Sequence, residues 1–403
     1  MKNLIYWLFG AFLVLVNCSG DVSAAEQGMQ LEKALKLPGT SATSLAMSND
    51  GMQALVGMGK DGIALVDLKN LKAPYVKKHI KIEGQVDSVA YNGRVAYVSL
   101  PGGEIGTVDL KQGKVSAVRK LKEFDDAKMK LILSPQGDQL LVVNGKKAGI
   151  LDLRTRIAFD QAPIQMIELK TEAEMANPVS GTFSPDGKTI AIVLQKNNMI
   201  GLVSRQSGQV EKLFSLGETK HRADLVDDDF PLIEETFTAR LEPSEVAFSS
   251  NGQYIYMVNE GAVDLPTKTD GIWSGGRNFS IFKIDGTLAF DGLDKLEQTA
   301  LMLGVYSDKV SPVRGIEPNV VANGRLYDKP AIAIGARHTN GVFFFQTAFP
   351  DKPFFYGMVL SSGKTVEAVA GLGKRDGFIS VDRSGMLTIY LPINGVKETG
   401  TGY

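Results

Sequence analysis

The chain has 403 residues, with 44 Lys and Arg against 45 Asp and Glu, a balance that gives no basic stripe for nucleic acid. It has one cysteine and three histidines, which argues against a disulfide framework, thiolate metal sites and a His-rich zinc centre. With 44% apolar residues and 43 glycines, the composition suits a large core threaded by many tight turns.

The first 25 residues read as an export signal. Lys2 precedes the apolar run "LIYWLFGAFLVLV", and small residues follow up to Ala24 and Ala25. Processing after Ala24 or Ala25 would leave residues 26–403 as one domain without a membrane span, periplasmic or secreted. The alternative is a lipoprotein acylated at Cys18, although Asn17 stands where a small residue is usual.

A unit of apolar run, turn, apolar run, loop and apolar run then recurs seven times. Copies start at Ser44, Ser88, Lys130, Phe183, Glu245, Glu317 and Ala368. Asp50-Gly51, Asn92-Gly93, Asp186-Gly187, Asn251-Gly252 and Asn323-Gly324 mark the turns, because these residue types tolerate positive φ. Runs such as "VSAVRKL" and "QVEKLFSL" supply a fourth strand. The expected fold is all-β, a seven-bladed β-propeller of the WD40/YVTN-like kind. The spare run "MQLEKALKL", residues 29 to 37, would complete the last blade and remove a free sheet edge. Insertions at 217–241, 259–277 and 291–316 read as loops decorating the fourth to sixth blades.

Segments in this sector resemble a known family. "FSPDGKTIAIVLQKNNMIGLVS", "RLEPSEVAFSSNGQYIYMVNEGAVD", "GGRNFSIFKIDGTLAFDGLDKLEQTA" and "GIEPNVVANGRLYDKPAIAIGARHTNGVFFFQT" are similar, in order and spacing, to segments of choice-of-anchor I proteins. The resemblance covers about residues 175 to 360, while the first three units read as generic repeats. It implies an extracytoplasmic bacterial seven-bladed propeller without an agreed catalytic set. The chain departs from the family at Arg337-His338, where Glu-Arg is usual, and at Ala262.

In such a fold, the entries to the innermost strands and the loops joining second to third strands share one face around the channel. Those positions carry Glu242, Glu260, Arg277, Glu317, Arg337, His338, Asn197 and Asn198, with Asp87, Lys130, Glu245, Glu367 and Arg383 among others. Glu242, Glu260 and Glu317 offer oxygen ligands for a hard cation such as Ca²⁺. Alternatively, each pairs with Arg277, Arg314 or Arg337 and pins a loop. Asn197 and Asn198 suit a turn as well as a ligand. The acidic run Asp227 to Asp229, with Glu234 and Glu235, lacks the glycine and spacing of a calcium loop and reads as a solvated loop. Trp273 is read either as stacking on a ligand or as packing its own loop.

No GxSxG, HExxH, P-loop or CxxC motif occurs. The expectation is a non-enzymatic binding or scaffold protein that takes a protein partner or small ligand at the channel mouth. The alternative is a Ca²⁺-type metal-dependent hydrolase, phosphatase-like or lactonase-like.

Overall fold

The computed structural model describes residues 28–124, 128–154, 157–171, 175–263 and 267–393. The signal segment, residues 1–25 with Cys18, lies outside the described residues.

Among the described residues, the sheets are all four-stranded. The first holds Ser44–Met47, Gln53–Gly57, Ile63–Asp67 and Tyr75–Ile80, hydrogen-bonded in chain order. The second holds Val89–Tyr91, Ala96–Leu100, Glu104–Asp109 and Lys114–Lys120. The third holds Lys130–Leu133, Gln139–Val143, Ala148–Asp152 and Ile164–Ile167, and the fourth Pro178–Phe183, Thr189–Leu194, Met199–Ser204 and Val210–Ser215. The fifth holds Pro243–Phe248, Tyr254–Asn259, Phe279–Lys283 and Leu288–Asp291, and the sixth Pro318–Leu326, Lys329–Ala336, Gly341–Gln346 and Phe354–Leu360. The seventh takes Val366–Gly371, Phe378–Asp382 and Met386–Pro392 from the C-terminal part and Met29–Lys36 from the other end of the chain. That last strand pairs antiparallel from Met29↔Pro392 to Lys36↔Met386.

Local chemistry explains the repeat. In the turns of the first, fourth and fifth sheets a serine hydroxyl donates to the Asp or Asn two residues on: Ser48 to Asp50 at 2.6 Å, Ser184 to Asp186 at 2.6 Å and Ser249 to Asn251 at 2.7 Å. The same hydroxyls accept the backbone N–H that opens the next strand. The glycines that follow sit at φ of 71°, 68° and 70°, where a Cβ is disfavoured.

Burial follows strand position. The middle strands are apolar on both faces, as in "QALVG" and "IALVD". The outer strands alternate, as in "KVSAVRK", so Val115, Ala117 and Arg119 face inward while Lys114, Ser116, Val118 and Lys120 point to solvent. The apolar side chains gather into clusters that each join two consecutive sheets. One contains Ala54, Val56 and Ala64 of the first sheet with Ile379, Val381 and Leu387 of the seventh. The others join first to second, second to third, third to fourth, fourth to fifth, fifth to sixth and sixth to seventh.

The insertions are more ordered than the sequence suggests. Glu218–Ala223 and Glu235–Arg240 form a hairpin, and Ile272–Trp273 and Lys268–Thr269 join it as an eighth four-stranded sheet. The third insertion carries the helix Lys295–Met302 and the short helix Ser311–Arg314. The buried positions of the first hairpin strand are Thr219, His221 and Ala223, polar or small, so no apolar alternation marks that strand off from loop.

Candidate functional site

The acids at the sheet ends are placed by a shared irregularity. The innermost strands of the fourth, fifth and sixth sheets each begin with a proline, and a register shift follows it, between Pro178/Ser180, Pro243/Glu245 and Pro318/Val320. Glu242 and Glu317, just before their prolines, adopt φ of 49° and 52°, a conformation that side chains rarely hold without support. Pro243 faces Asn259, and Pro318 faces Ala336. Glu242 and Glu260 therefore flank one end of the fifth sheet, and Glu317 and Arg337 the same end of the sixth.

There the side chains form a closed ionic cluster. Arg337 Nη1 donates to Glu260 Oε1 at 3.0 Å and to Glu317 Oε1 at 2.8 Å. Arg314 approaches the same Glu317 oxygen at 3.5 Å, and His338 Nε2 lies 2.6 Å from Glu317 Oε2. Gln195 Nε2, from the fourth sheet, donates to Glu260 Oε2 at 3.1 Å. Burial by itself would raise the Glu317 carboxyl, but the His338 hydrogen bond and the Arg337 charge outweigh it and bring it down to about 2. Glu260 goes the other way: its burial pushes it up, against the pull of Arg337.

Glu242 is fully buried beside this cluster. Arg240 pairs with its Oε1, Ser274 Oγ donates to its Oε2 at 2.6 Å, and its backbone N–H donates to Asn198 Oδ1 at 2.9 Å. Every carboxylate oxygen of Glu242, Glu260 and Glu317 thus has a protein donor. Arginine, histidine, glutamine and serine donors meet these oxygens, the ion-paired arrangement that the sequence offers as the alternative to a Ca²⁺ site.

Arg277 differs from expectation. Its backbone N–H donates to Glu260 O at 3.0 Å, yet its side chain turns away from the acids. It is 1% exposed, lies 4.6 Å from the Phe237 ring and donates to Pro312 O at 2.8 Å. Its φ is 55°, and its guanidinium lies among the insertions. There it faces the fully buried Glu297, neither of whose oxygens has a hydrogen-bond partner, and burial pushes that carboxyl up against the pull of Arg277. The Arg277 guanidinium thus lies among the insertions and not with the three acids.

Asn197 and Asn198 act as turn residues. Asn197 Oδ1 accepts the Asn177 N–H at 2.9 Å, and Asn198, at φ of 53°, donates from Nδ2 to Gly217 O at 2.6 Å. Trp273 packs 5.9 Å from Phe237, with Lys268 5.1 Å over its ring, inside the extra sheet.

The innermost strands of all seven large sheets line one cavity of about 840 Å³. Asp87, Lys128, Lys130, Glu245, Glu367 and Arg383 stand in its wall towards the end that carries the ionic cluster. Lys130 of the third sheet forms an ion pair with Glu245 of the fifth, and Ser180 of the fourth donates to Glu245 at 2.6 Å. Arg383 pairs with Glu367. These positions were legible as strand entries, but their pairing across sheets was not, since Lys130 and Glu245 stand 115 residues apart. Among the described residues, no helix is long and apolar enough to cross a membrane.

Comparison with known proteins agrees with this fold. Residues 101–263 match the family model of the choice-of-anchor I domain. The match begins within the second repeat, earlier than the resembling segments, and ends before the last two of them. A search of curated protein sequences gives no match. Among solved structures, the chain is similar to the crystal structure of the Myceliophteria thermophila Cps50 (Swd1) β-propeller domain. The TM-score is 0.62 at 10% identity, over 90% of this chain and 99% of that one. At that identity the likeness speaks for the fold alone. The chain folds as a β-propeller, and its residues 101–263 are similar to the choice-of-anchor I domain.

Proposed function

We propose that this protein is an exported, seven-bladed propeller, closed by Met29–Lys36, that binds a protein partner or small ligand at the charged mouth of its channel. The cyclic order of the inter-sheet clusters, with the seventh sheet packed on the first, supports the count and the closure. The observation that carries the binding role is the cavity wall. Charged residues from separate sheets converge on one mouth, and their opposite charges are paired across sheets, so the surface is polar, shaped and rigid. Rigid loops and strand ends of this kind are where binding groups concentrate. The signal-like start, residues 1–25, supports export, and N-terminal sequencing of envelope protein should give Ala25 or Glu26 first.

The test uses charge reversals. Lys128→Glu and Arg383→Glu alter the mouth at exposed side chains, while Arg325→Glu alters the opposite end. A ligand identified from envelope extracts should lose affinity for the first two and keep it for the third. A ligand indifferent to both mouth variants would refute this reading.

A further inference from the structure

The third insertion brings a distant carboxylate onto the acidic run. Asp308 stands in the short helical turn Asp308–Val310, and its Oδ2 accepts the backbone N–H groups of Asp228, at 2.9 Å, and Asp229, at 2.6 Å. This clamps the loop after the Glu218–Ala223 strand against the insertion. One carboxylate oxygen from each of Asp227, Asp229 and Asp308 then lies within 4.8 Å of the others.

An acidic cluster alone is an ordinary surface feature, but here a buried carboxyl backs one of its members. Asp224 is 2% exposed, and its carboxyl lies in hydrogen-bond range of that of Asp308, so two acceptors face each other. Asp224 Oδ2 and Asp308 Oδ1 are both buried with no hydrogen-bond partner. Among the described residues, no Lys, Arg or His forms an ion pair with any of these four carboxylates. Arg277 reaches only the Asp224 carbonyl, at 3.4 Å. Unpaired buried carboxylate oxygens are costly unless a proton or a cation sits between them. The contrast with the Glu242, Glu260 and Glu317 cluster is direct: there every oxygen has a donor, and here the inward-facing ones have none.

We propose that Asp227, Asp229 and Asp308, backed by the buried carboxyl of Asp224, bind a hard divalent cation, Ca²⁺ in class, that fastens the extra sheet to the helical insertion. Asp308 supplies the buried side of the coordination shell, and the Asp224 carboxyl lies behind it. Asp227 and Asp229 are exposed and close it from the solvent side, leaving room for the waters that Ca²⁺ commonly keeps. This proposal is independent of the reading of the channel mouth.

Calcium titration of the purified chain tests it, by calorimetry and by terbium luminescence. One saturable site per chain is expected. Asp227→Asn and Asp229→Asn change exposed side chains, so both should fold, and each should weaken Ca²⁺ binding tenfold or more, of order ~1.4 kcal/mol. Asp351→Asn, an exposed aspartate elsewhere, should bind like the parent. Ca²⁺ should raise the melting temperature of the parent and of Asp351→Asn far more than that of Asp229→Asn. Absence of saturable binding in the millimolar range overturns the proposal. So does binding that both loop variants leave unchanged, or a site lost in Glu317→Gln but kept in Asp229→Asn.

Discussion

Replacing Glu317 by Gln isolates the ionic cluster at the end of the fifth and sixth sheets. The carboxylate accepts from Arg337 at 2.8 Å and from His338 at 2.6 Å, with Arg314 at 3.5 Å, and is almost wholly buried. A glutamine has one acceptor oxygen for these donors and turns its NH₂ towards one of them. Arg337 keeps Glu260 at 3.0 Å, so it is not left wholly unpaired. The difference between the ordinary carboxyl value of 4.5 and about 2 corresponds to an upper limit of roughly 3 kcal/mol. The raised Glu260 carboxyl works in the opposite sense, so a loss of about 1–3 kcal/mol is expected. Because the folded value of Glu317 is depressed, its contribution is fully present above pH 4.5 and disappears as pH falls through about 2. Urea unfolding of parent and variant, repeated from pH 7 downwards, measures both features. The stability gap should be full at neutral pH and narrow steadily below pH 4.5. A gap under about 0.5 kcal/mol at pH 7, the scale of an ordinary surface substitution, would refute the reasoning. A gap unchanged down to pH 2 would refute it equally.

Deleting residues 29 to 36 removes a strand whose partner is Met386–Pro392 and should destabilise the whole chain by on the order of 5 kcal/mol, from the lost ladder bonds alone. An unchanged melting temperature would mean that the strand contributes nothing to closure. Arg277→Met leaves the fully buried Glu297 without its nearby cation and should cost about 3–5 kcal/mol. Adding Glu297→Leu should restore much of that loss in chemical denaturation, and a double variant no better than the single one would show that the charges are not coupled. Gly315→Ala should cost roughly 2–4 kcal/mol, because φ is 54° and a Cβ would overlap Glu297 Oε1. A thermal scan that finds it neutral would mean that the backbone relaxes there.

By itself the sequence determined the repeat. Strand length, apolar middle strands and the Ser-x-Asp/Asn-Gly turns are local properties, and local contacts enforce them. The pairing of residues 29 to 36 with the last repeat was also legible, because a sheet short of one strand and a spare apolar run occupy the two ends of one chain. The positions of Glu242, Glu260, Glu317 and Arg337 followed from the same periodicity. What their side chains do was decided only by tertiary structure. Glu242 and Arg277 both sit at positive φ, one side chain meeting Arg240 and Ser274, the other lying away from the acids and over Phe237. The pairing of Lys130 with Glu245 spans the third to the fifth sheet, and Asp308 meets Asp228 and Asp229 from about 80 residues further along the chain. Contacts at such separations leave no periodic trace, because they depend on how the sheets pack side by side and on where the insertions fold back. The acidic loop, bland as a string of residues, gains its two unpartnered buried oxygens only from that packing.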